Sequence, residues 1–575
     1  MTGTERFRPN PAQEAAVAHG SGPLRILAGA GSGKTTTLVR RILRLIESGA
    51  CTPGQLLMLT FTTKATADMR RKVAEALPPG SEQPRIETYH AYALALVREF
   101  APELGLPPEP VLLTPGPVKL FTRRHIHRLG ISRLDLARLD TAVSTALDFF
   151  RWHRHEATYL ADEAALLAKV PEEEADLVRE LLEAHRRYRA LLAEQGALDY
   201  DDLIALAVQL LEERPEVRRQ VQERHPVLLV DEYQDTDHLQ GRYIQLLAGD
   251  GANLTIVGDP DQTIYTWRGA AVSNILRFEE AYEGVRTIPM VINYRSTPAI
   301  LAAANAVIAR NQRGKQEPLE ADREQGDLPI PQGRRFPDWE SEARWLAQEV
   351  RRLHEQGVAW KEIAVLVRLN RHKLPLYSAL LEAGVPVVVV GGMDLFEDPE
   401  TARFITYLEA LASPDDDGAL SVALSLPRYG LTDHEIARLA RQRQHGDRLI
   451  DAVARQAAGD AALTRFLEEF WPLFRLQHAE GCEAAIRAAL RLHASSLGLQ
   501  ARLNADQLLP LAEFFFAQAA LLVDPASTTP PLAQFCAYLR ELQELGDTPE
   551  GVPLSDEEDG VRLMTVHAAK GLEFP

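Results

Sequence analysis

The run AGAGSGKT at positions 28 to 35 constrains this chain more than any other feature. It follows the apolar stretch LRIL and opens TTTLVRRILRLI, where Leu38, Ile42, Leu45 and Ile46 fall on one helical face. A glycine-rich turn between strand and helix lets backbone N–H groups curl round a phosphate, and the helix N-terminus adds favourable partial charge. Ala28, Gly29, Ala30, Gly31, Ser32 and Gly33 thus form a candidate nucleotide loop, with Lys34 placed to hold the β- and γ-phosphates and Thr35 to ligate Mg²⁺. Ala28 occupies the place of the first glycine in the strict pattern, a small departure.

PVLLVDEYQDT (226 to 236) reads as a buried strand ending in two carboxylates. At the C-terminal end of a parallel strand, Asp231 and Glu232 face the crevice that the phosphate loop shares. Asp231 is placed to reach Mg²⁺, and Glu232 to orient or deprotonate an attacking water. Helix N-capping is the other reading of such residues, and the neighbouring phosphate loop argues against it.

Further strand candidates stand at 24 to 28, 55 to 61 and 253 to 259, each followed by polar or glycine-rich turns, and this alternation predicts a parallel α/β sheet. Residues 93 to 195 are rich in Leu, Ala, Arg and Glu with helical periodicity and read as an inserted helical domain. A second α/β set is expected to open at VRTIPM (285 to 290) and to continue through EIAVLVR, VPVVVVGG and VRLMTVH, the last at 561 to 567. A second helical stretch, 410 to 556, interrupts it, with SPDDDG and TPEGVPLSDEEDG as connecting loops. The expected domains are 1–92 with 196–280, a helical insertion 93–195, 281–409 with 557–575, and a helical insertion 410–556.

A net charge of -18 argues against a generally basic nucleic-acid coater but leaves room for a local cationic groove. Cys51, Cys482 and Cys536 are too few and too scattered for a disulfide framework or a zinc site, which fits a reducing compartment. The polar amino end lacks a signal core and no long apolar run occurs, so the bacterial cytosol or nucleoid is the expected location.

GDPDQTIYTWRGA (258 to 270), taken with the two motifs above, closely resembles the UvrD/Rep family of superfamily 1A DNA helicases. PNPAQ (9 to 13), LTFTTKATADM (59 to 69), IETYHAYA (86 to 93) and INYRS (292 to 296) resemble further family motifs in the family's order. The resemblance implies a P-loop NTPase of two RecA-like parallel-sheet motor domains, each with a mainly helical insertion. It also implies ATP and Mg²⁺ between the motors and 3′-to-5′ translocation on single-stranded DNA in repair or recombination, with single/double-strand junctions and repair or recombination proteins as partners.

Residue by residue, the resemblance assigns Gln13 to adenine, Tyr294 to stacking on it, Gln262 to coupling the γ-phosphate to DNA, and Arg295 to the γ-phosphate. Thr36 stands where many relatives carry an arginine over the other adenine face. Sequence-tolerant grip on a single strand needs aromatic faces for bases and cations or small polar groups for the backbone. Tyr265, Trp267 and Arg268 supply these in one loop, and Phe61, Thr62, Thr63, Lys64 and His90 in others, although Thr63 departs from the common FTNKA pattern. TVHAAKGLEFP (565 to 575) resembles the start of family motif V, which places His567 and Lys570 near DNA, Gly571 near the nucleotide and Glu573 on the ribose. The chain is expected to stop short of motif VI and its arginine finger.

Other stretches stay open. FTRRHIHRLGISR (121 to 133) reads equally as a phosphate-contacting face and as a solvated helix; Asp199 and Asp201 of LDYDDLI read as a re-entry segment or as helix caps. LSLPRYGLTDHEIARLA (424 to 440) resembles the helicase–nuclease branch, so the motor portion of such a subunit is one alternative. A nucleotide-dependent single-strand-binding module with little turnover is a second, and a P-loop kinase or unrelated ATPase, which explains only Lys34 and Asp231, is a third.

Overall fold

LRILA, LLMLT, VLLV and LTIVG lack the polar alternation of a half-wetted strand, and all four lie in one parallel sheet covered on both faces. The computed structural model describes residues 9–155, 163–168, 170–251, 253–311, 317–326, 330–390, 398–518, 529–544 and 559–574. It divides into two units, Met1–Thr114 with Thr122–Gly333, and Pro115–Phe121 with Arg334–Pro575. The amino end, the GGMDLFE segment at 391–397, most of the acidic loop near 548–560 and the Arg268 side chain lie outside the described residues.

In the first unit the strands are β1 (Leu24–Ala28), β2 (Leu56–Thr60), β3 (Arg85–Thr88), β4 (Val111–Leu113), β5 (Ala197–Asp199), β6 (Val227–Val230), β7 (Leu254–Gly258), β8 (Arg286–Met290), β9 (Ile292–Asn293) and β10 (Glu320–Ala321). Six of them form a parallel sheet in the order β3-β2-β6-β7-β1-β8. Because side chains alternate along a strand, Leu56 and Met58 of β2 enter one layer while Leu57 and Leu59 enter the other. The first layer holds Leu38, Ile42, Met69 and Val73 from the helices Lys34–Glu47 and Thr63–Ala76. The second is built by the helices Tyr89–Glu99, Asp202–Glu213 and His238–Ala248. Each fully buried leucine or isoleucine contributes about 1.5–3 kcal/mol, so Ile42→Ala or Leu59→Ala would weaken the packing of one layer on the sheet that carries the site.

VRTIPM does not open the second α/β set. It forms β8 at the edge of the first sheet, pairing Leu24–Ala28 with Arg286–Met290, and buries Ile288 and Met290 beside Leu24 and Ile26. The apolar pattern marks a strand; only the partner it finds decides which sheet it joins.

The first helical insertion contains the helices Leu139–His155 and Glu172–Glu194 and is bracketed by the short parallel pair β4–β5, a ladder its composition did not announce. Arg154, 3% exposed in its side chain, fastens its end: it lies 3.3 Å from Asp199, 3.6 Å from Asp201 and 3.1 Å from Asp202. Asp199 and Asp201 are therefore members of a buried ion cluster, and the Asp199 carboxylate also accepts from Tyr188 at 3.0 Å.

In the second unit, β11 (Ala364–Val367), β12 (Val387–Val389) and β13 (Val561–Thr565) form a parallel sheet in which β13 is central. Val561 and Leu563 bury between the helices Trp339–Glu355 and Lys373–Glu382. Helices between Pro399 and Glu544 share a separate core around Phe404, Leu408, Phe466, Phe470 and Phe535. Among the described residues no helix is long and apolar enough to cross a membrane.

Candidate nucleotide site and aromatic loop

The loop from Gly29 to Gly33 joins β1 to the helix Lys34–Glu47. Gly31 (φ +68°) and Gly33 (φ +82°) hold left-handed conformations that L side chains rarely adopt. A β-carbon at Gly33 would come within 2.7 Å of Gln13 Nε2, and one at Gly31 within 2.8 Å of the Arg295 β-carbon. Ser32, buried, donates from Oγ to the Gly29 carbonyl at 2.8 Å and closes the turn. Ala28 is buried as the last residue of β1, where the absent glycine is not required; Ala30 and Thr36 are exposed, and Thr35 is half-buried in the first helical turn.

Lys34 Nζ lies 2.6 Å from Glu232 Oε1. Burial works against the ammonium's charge, but Glu232 and Asp231 outweigh it and raise the Lys34 pKa. Asp231, buried where β6 ends, donates its N–H to Leu59 of β2; burial and the adjoining Glu232 push its carboxyl up against the pull of Lys34. Among the described residues, Glu232 is the one non-glycine with positive φ, at +51°. Backbone strain of this kind costs about 1–3 kcal/mol and clusters at functional sites.

Residues 292 to 296 dock directly on the phosphate loop. The Tyr294 N–H donates to the Gly31 carbonyl at 2.9 Å, and buried Asn293 donates to the Ala30 carbonyl at 2.6 Å while accepting from the N–H groups of Arg295 and Ser296. Gln13 and Asn10 form a reciprocal helix cap, Gln13 Nε2 donates to the Ser32 carbonyl at 3.0 Å, and Asn10 Nδ2 donates to the Tyr294 hydroxyl at 2.9 Å. Gln13, Tyr294, exposed Arg295, Lys34, Asp231 and Glu232 are thereby gathered at one loop. Sequence reasoning missed Asn10, Asn293 and Gln234; each sits inside a quoted motif, but asparagine and glutamine give no periodic signal.

On the other side of the carboxylates, Gln262 Nε2 donates to Asp259 Oδ2 at 2.7 Å. The Tyr265 ring stacks on Phe61 with centroids 5.3 Å apart and planes 18° off parallel. Trp267 is 63% exposed. Thr62 caps the helix Thr63–Ala76 by accepting from the Ala65 N–H, leaving Thr62, Thr63 and Lys64 exposed beside Phe61. His90 is stacked on Tyr200 at 4.4 Å, and burial lowers its pKa despite Asp201 and Asp237.

His567, Lys570, Gly571 (φ +79°) and Glu573 belong to the second unit, on the loop after β13, where Thr565 Oγ1 accepts from the Ala568 N–H. That unit also has a cavity of about 390 Å³ lined by Phe336, Trp339, Trp345, Arg368 and His372 among others, which the sequence reading did not single out. In the first insertion, Arg123, Arg128 and Arg133 pair with Asp140, Glu194 and Asp176, so much of the basic run is matched by its own subdomain's carboxylates.

A parallel sheet with a phosphate loop at the end of β1 and a carboxylate pair at the end of β6 defines a P-loop NTPase. Residues 9–283 match the UvrD/REP helicase N-terminal domain and residues 288–470 the UvrD-like helicase C-terminal domain. The chain is 34% identical to the ATP-dependent DNA helicase UvrD1 of Mycobacterium tuberculosis, an alignment covering 98% of this chain and 76% of the relative. It is 31% identical to PcrA of Leuconostoc citreum over 98% and 75% of the two chains, and 29% identical to PcrA of Bacillus subtilis over 98% and 76%. The chain belongs to the UvrD/REP helicase family.

Proposed function

We propose that this ATP-dependent helicase translocates 3′ to 5′ on single-stranded DNA and unwinds duplex at single/double-strand junctions, in DNA repair or recombination within the bacterial cytosol. One observation carries the reading: the Lys34–Asp231–Glu232 constellation and the Phe61–Tyr265–Trp267 surface stand on the C-terminal ends of one sheet, joined by the turn at Asp259–Gln262.

The chemistry follows from the carboxylates. Substrate phosphates compete for Lys34; when its ammonium turns to them, Glu232 loses the cation on Oε1 and that oxygen is free to accept a proton from, or orient, the attacking water. The left-handed loop and the buried Asp231 fit a nucleotide–metal pair: Thr35 and Asp231 supply hard oxygen donors, and Mg²⁺ held there with the phosphates would offset their charge. Gln13 and Tyr294 are assigned to the adenine, Arg295 to the γ-phosphate, and the aromatic surface to bases. The roles of His567, Lys570, Gly571 and Glu573 are proposed from the motif they match.

Single-stranded DNA is expected to stimulate ATP turnover, and Glu232→Gln to abolish it while leaving nucleotide binding in place. Turnover intact in Glu232→Gln would remove the hydrolytic role; binding of both ligands without stimulated hydrolysis would favour a nucleotide-gated DNA-binding module instead. Displacement of strands from 5′-tailed but not 3′-tailed duplexes would refute the polarity.

A further inference from the structure

The Gln234 side chain is fully buried between the two halves of the site. Its Nε2 donates to Glu232 Oε2 at 2.6 Å and also faces Asp235 Oδ2 at 3.3 Å. Its Oε1 accepts from the Asp259 N–H at 3.0 Å. An amide has one donor end and one acceptor end, so this pair of bonds is satisfied in a single orientation. The slot is made by Gly258, where a β-carbon would collide with Gln234 Oε1.

Asp259 in turn accepts from Gln262 through Oδ2 and from the Asp261 N–H through Oδ1, and Thr263 Oγ1 reaches back to the Gln234 carbonyl at 3.4 Å. The two oxygens of Glu232 thus face different controls. One is bonded to Lys34, the group that substrate phosphates recruit; the other is bonded to an amide anchored on the turn that leads to Tyr265 and Trp267.

We propose that Gln234 is the positioning residue through which the Asp259–Trp267 loop sets the orientation of the Glu232 carboxylate, linking DNA binding to nucleotide binding through one buried amide. The inference rests on the hydrolytic reading of Glu232. A small shift of the Asp259 N–H turns the amide and moves the donor on Glu232; by reciprocity, drawing Lys34 away changes the load on the same donor and hence the loop.

The test measures single-strand affinity by fluorescence anisotropy, with and without a non-hydrolysable ATP analogue and Mg²⁺. The ratio of the two affinities is the linkage factor, expected to differ from one by at least about fivefold in the wild type. Gln234→Ala and Gln234→Glu are expected to bring it within about twofold of one. The glutamate keeps the acceptor for Asp259 but loses the donor, and protonation restores it, so linkage recovers as pH falls in Gln234→Glu and not in Gln234→Ala. Wild-type linkage retained in both variants would overturn the proposal, as would equal loss of both affinities at constant linkage, or a wild-type factor of one. Should Gln234→Ala fail to fold, Gln234→Leu keeps much of the volume without either end of the amide and is expected to lose linkage in the same way. Loss of turnover in Glu232→Gln together with intact linkage in the Gln234 variants sinks this inference alone; intact turnover in Glu232→Gln sinks the functional reading beneath it.

Discussion

Arg154→Met tests whether the first insertion is held by a buried charge cluster. The guanidinium sits within 3.1 to 3.6 Å of three carboxylates, and the Arg154 and Asp199 side chains are 3% and 5% exposed. Methionine keeps much of the volume and removes the charge, leaving Asp199, Asp201 and Asp202 facing one another. Breaking a buried pair by removing one partner costs about 3–5 kcal/mol, which multiplies the local opening equilibrium by roughly a hundredfold to a few thousandfold. Hydrogen exchange of peptides spanning Leu139–His155 and Ala197–Glu213 reads this directly as the variant-to-wild-type ratio of exchange rates.

The penalty also has a predicted pH sign. Burial already pushes the Asp199 carboxyl up and Arg154 opposes it; burial likewise raises Asp201, but Arg154 and Arg151 outweigh it and hold that carboxyl below its usual range. Without Arg154 the folded value of Asp199 rises further above the unfolded value near 4 and that of Asp201 rises from below its usual range, so the folded variant binds more protons than the folded wild type does. The penalty is therefore full above the new folded values and shrinks as pH falls towards the unfolded one; each unit of upward shift is about 1.4 kcal/mol, or tenfold in the ratio. A ratio below tenfold at pH 8, or one that grows towards acid, would refute the cluster as the fastening.

Gly33→Ala forces a side chain into φ +82° and against Gln13 Nε2, at a cost of about 1–2 kcal/mol before the Gln13–Ser32 bond is disturbed; a fluorescent ATP analogue should bind about fivefold to thirtyfold more weakly, and unchanged affinity would refute the cradle. Trp267→Ala removes an exposed ring, so stability and nucleotide affinity should hold while single-strand affinity falls by about 1–3 kcal/mol in an anisotropy titration. Asn293→Ala removes the bonds to the Ala30 carbonyl and to the Arg295 and Ser296 N–H groups, a net loss of about 0.5–1.5 kcal/mol for each bond that water replaces; faster exchange at Tyr294–Ser296 and reduced turnover are expected, and native protection there would argue against the docking role.

Much of the site was legible because its parts are local. Lys34 follows a glycine turn and opens a helix, and Asp231 and Glu232 end an apolar run, so neighbours along the chain already state the chemistry. The relay was not legible. Asn10 meets Tyr294 across 284 positions and Gln234 meets Asp259 across 25, and nothing in the spacing of polar amides announces a partner so distant. Gln13 shows the same divide: its motif was recognised, whereas its bond to Ser32 was not.

By itself the sequence determined the phosphate loop, the strand-end carboxylates, the aromatic loop and the family, since glycine conformations, helix dipoles and side-chain alternation act over a few residues. Tertiary structure decided that VRTIPM joins β1 rather than the second sheet, that β13 becomes the middle strand between β11 and β12, and that Arg154 binds Asp199 and Asp201, which the sequence leaves open between a re-entry segment and helix caps. Strand edges, buried carboxylates and buried amides must each find a partner, and which partner lies in reach is set by how the layers pack.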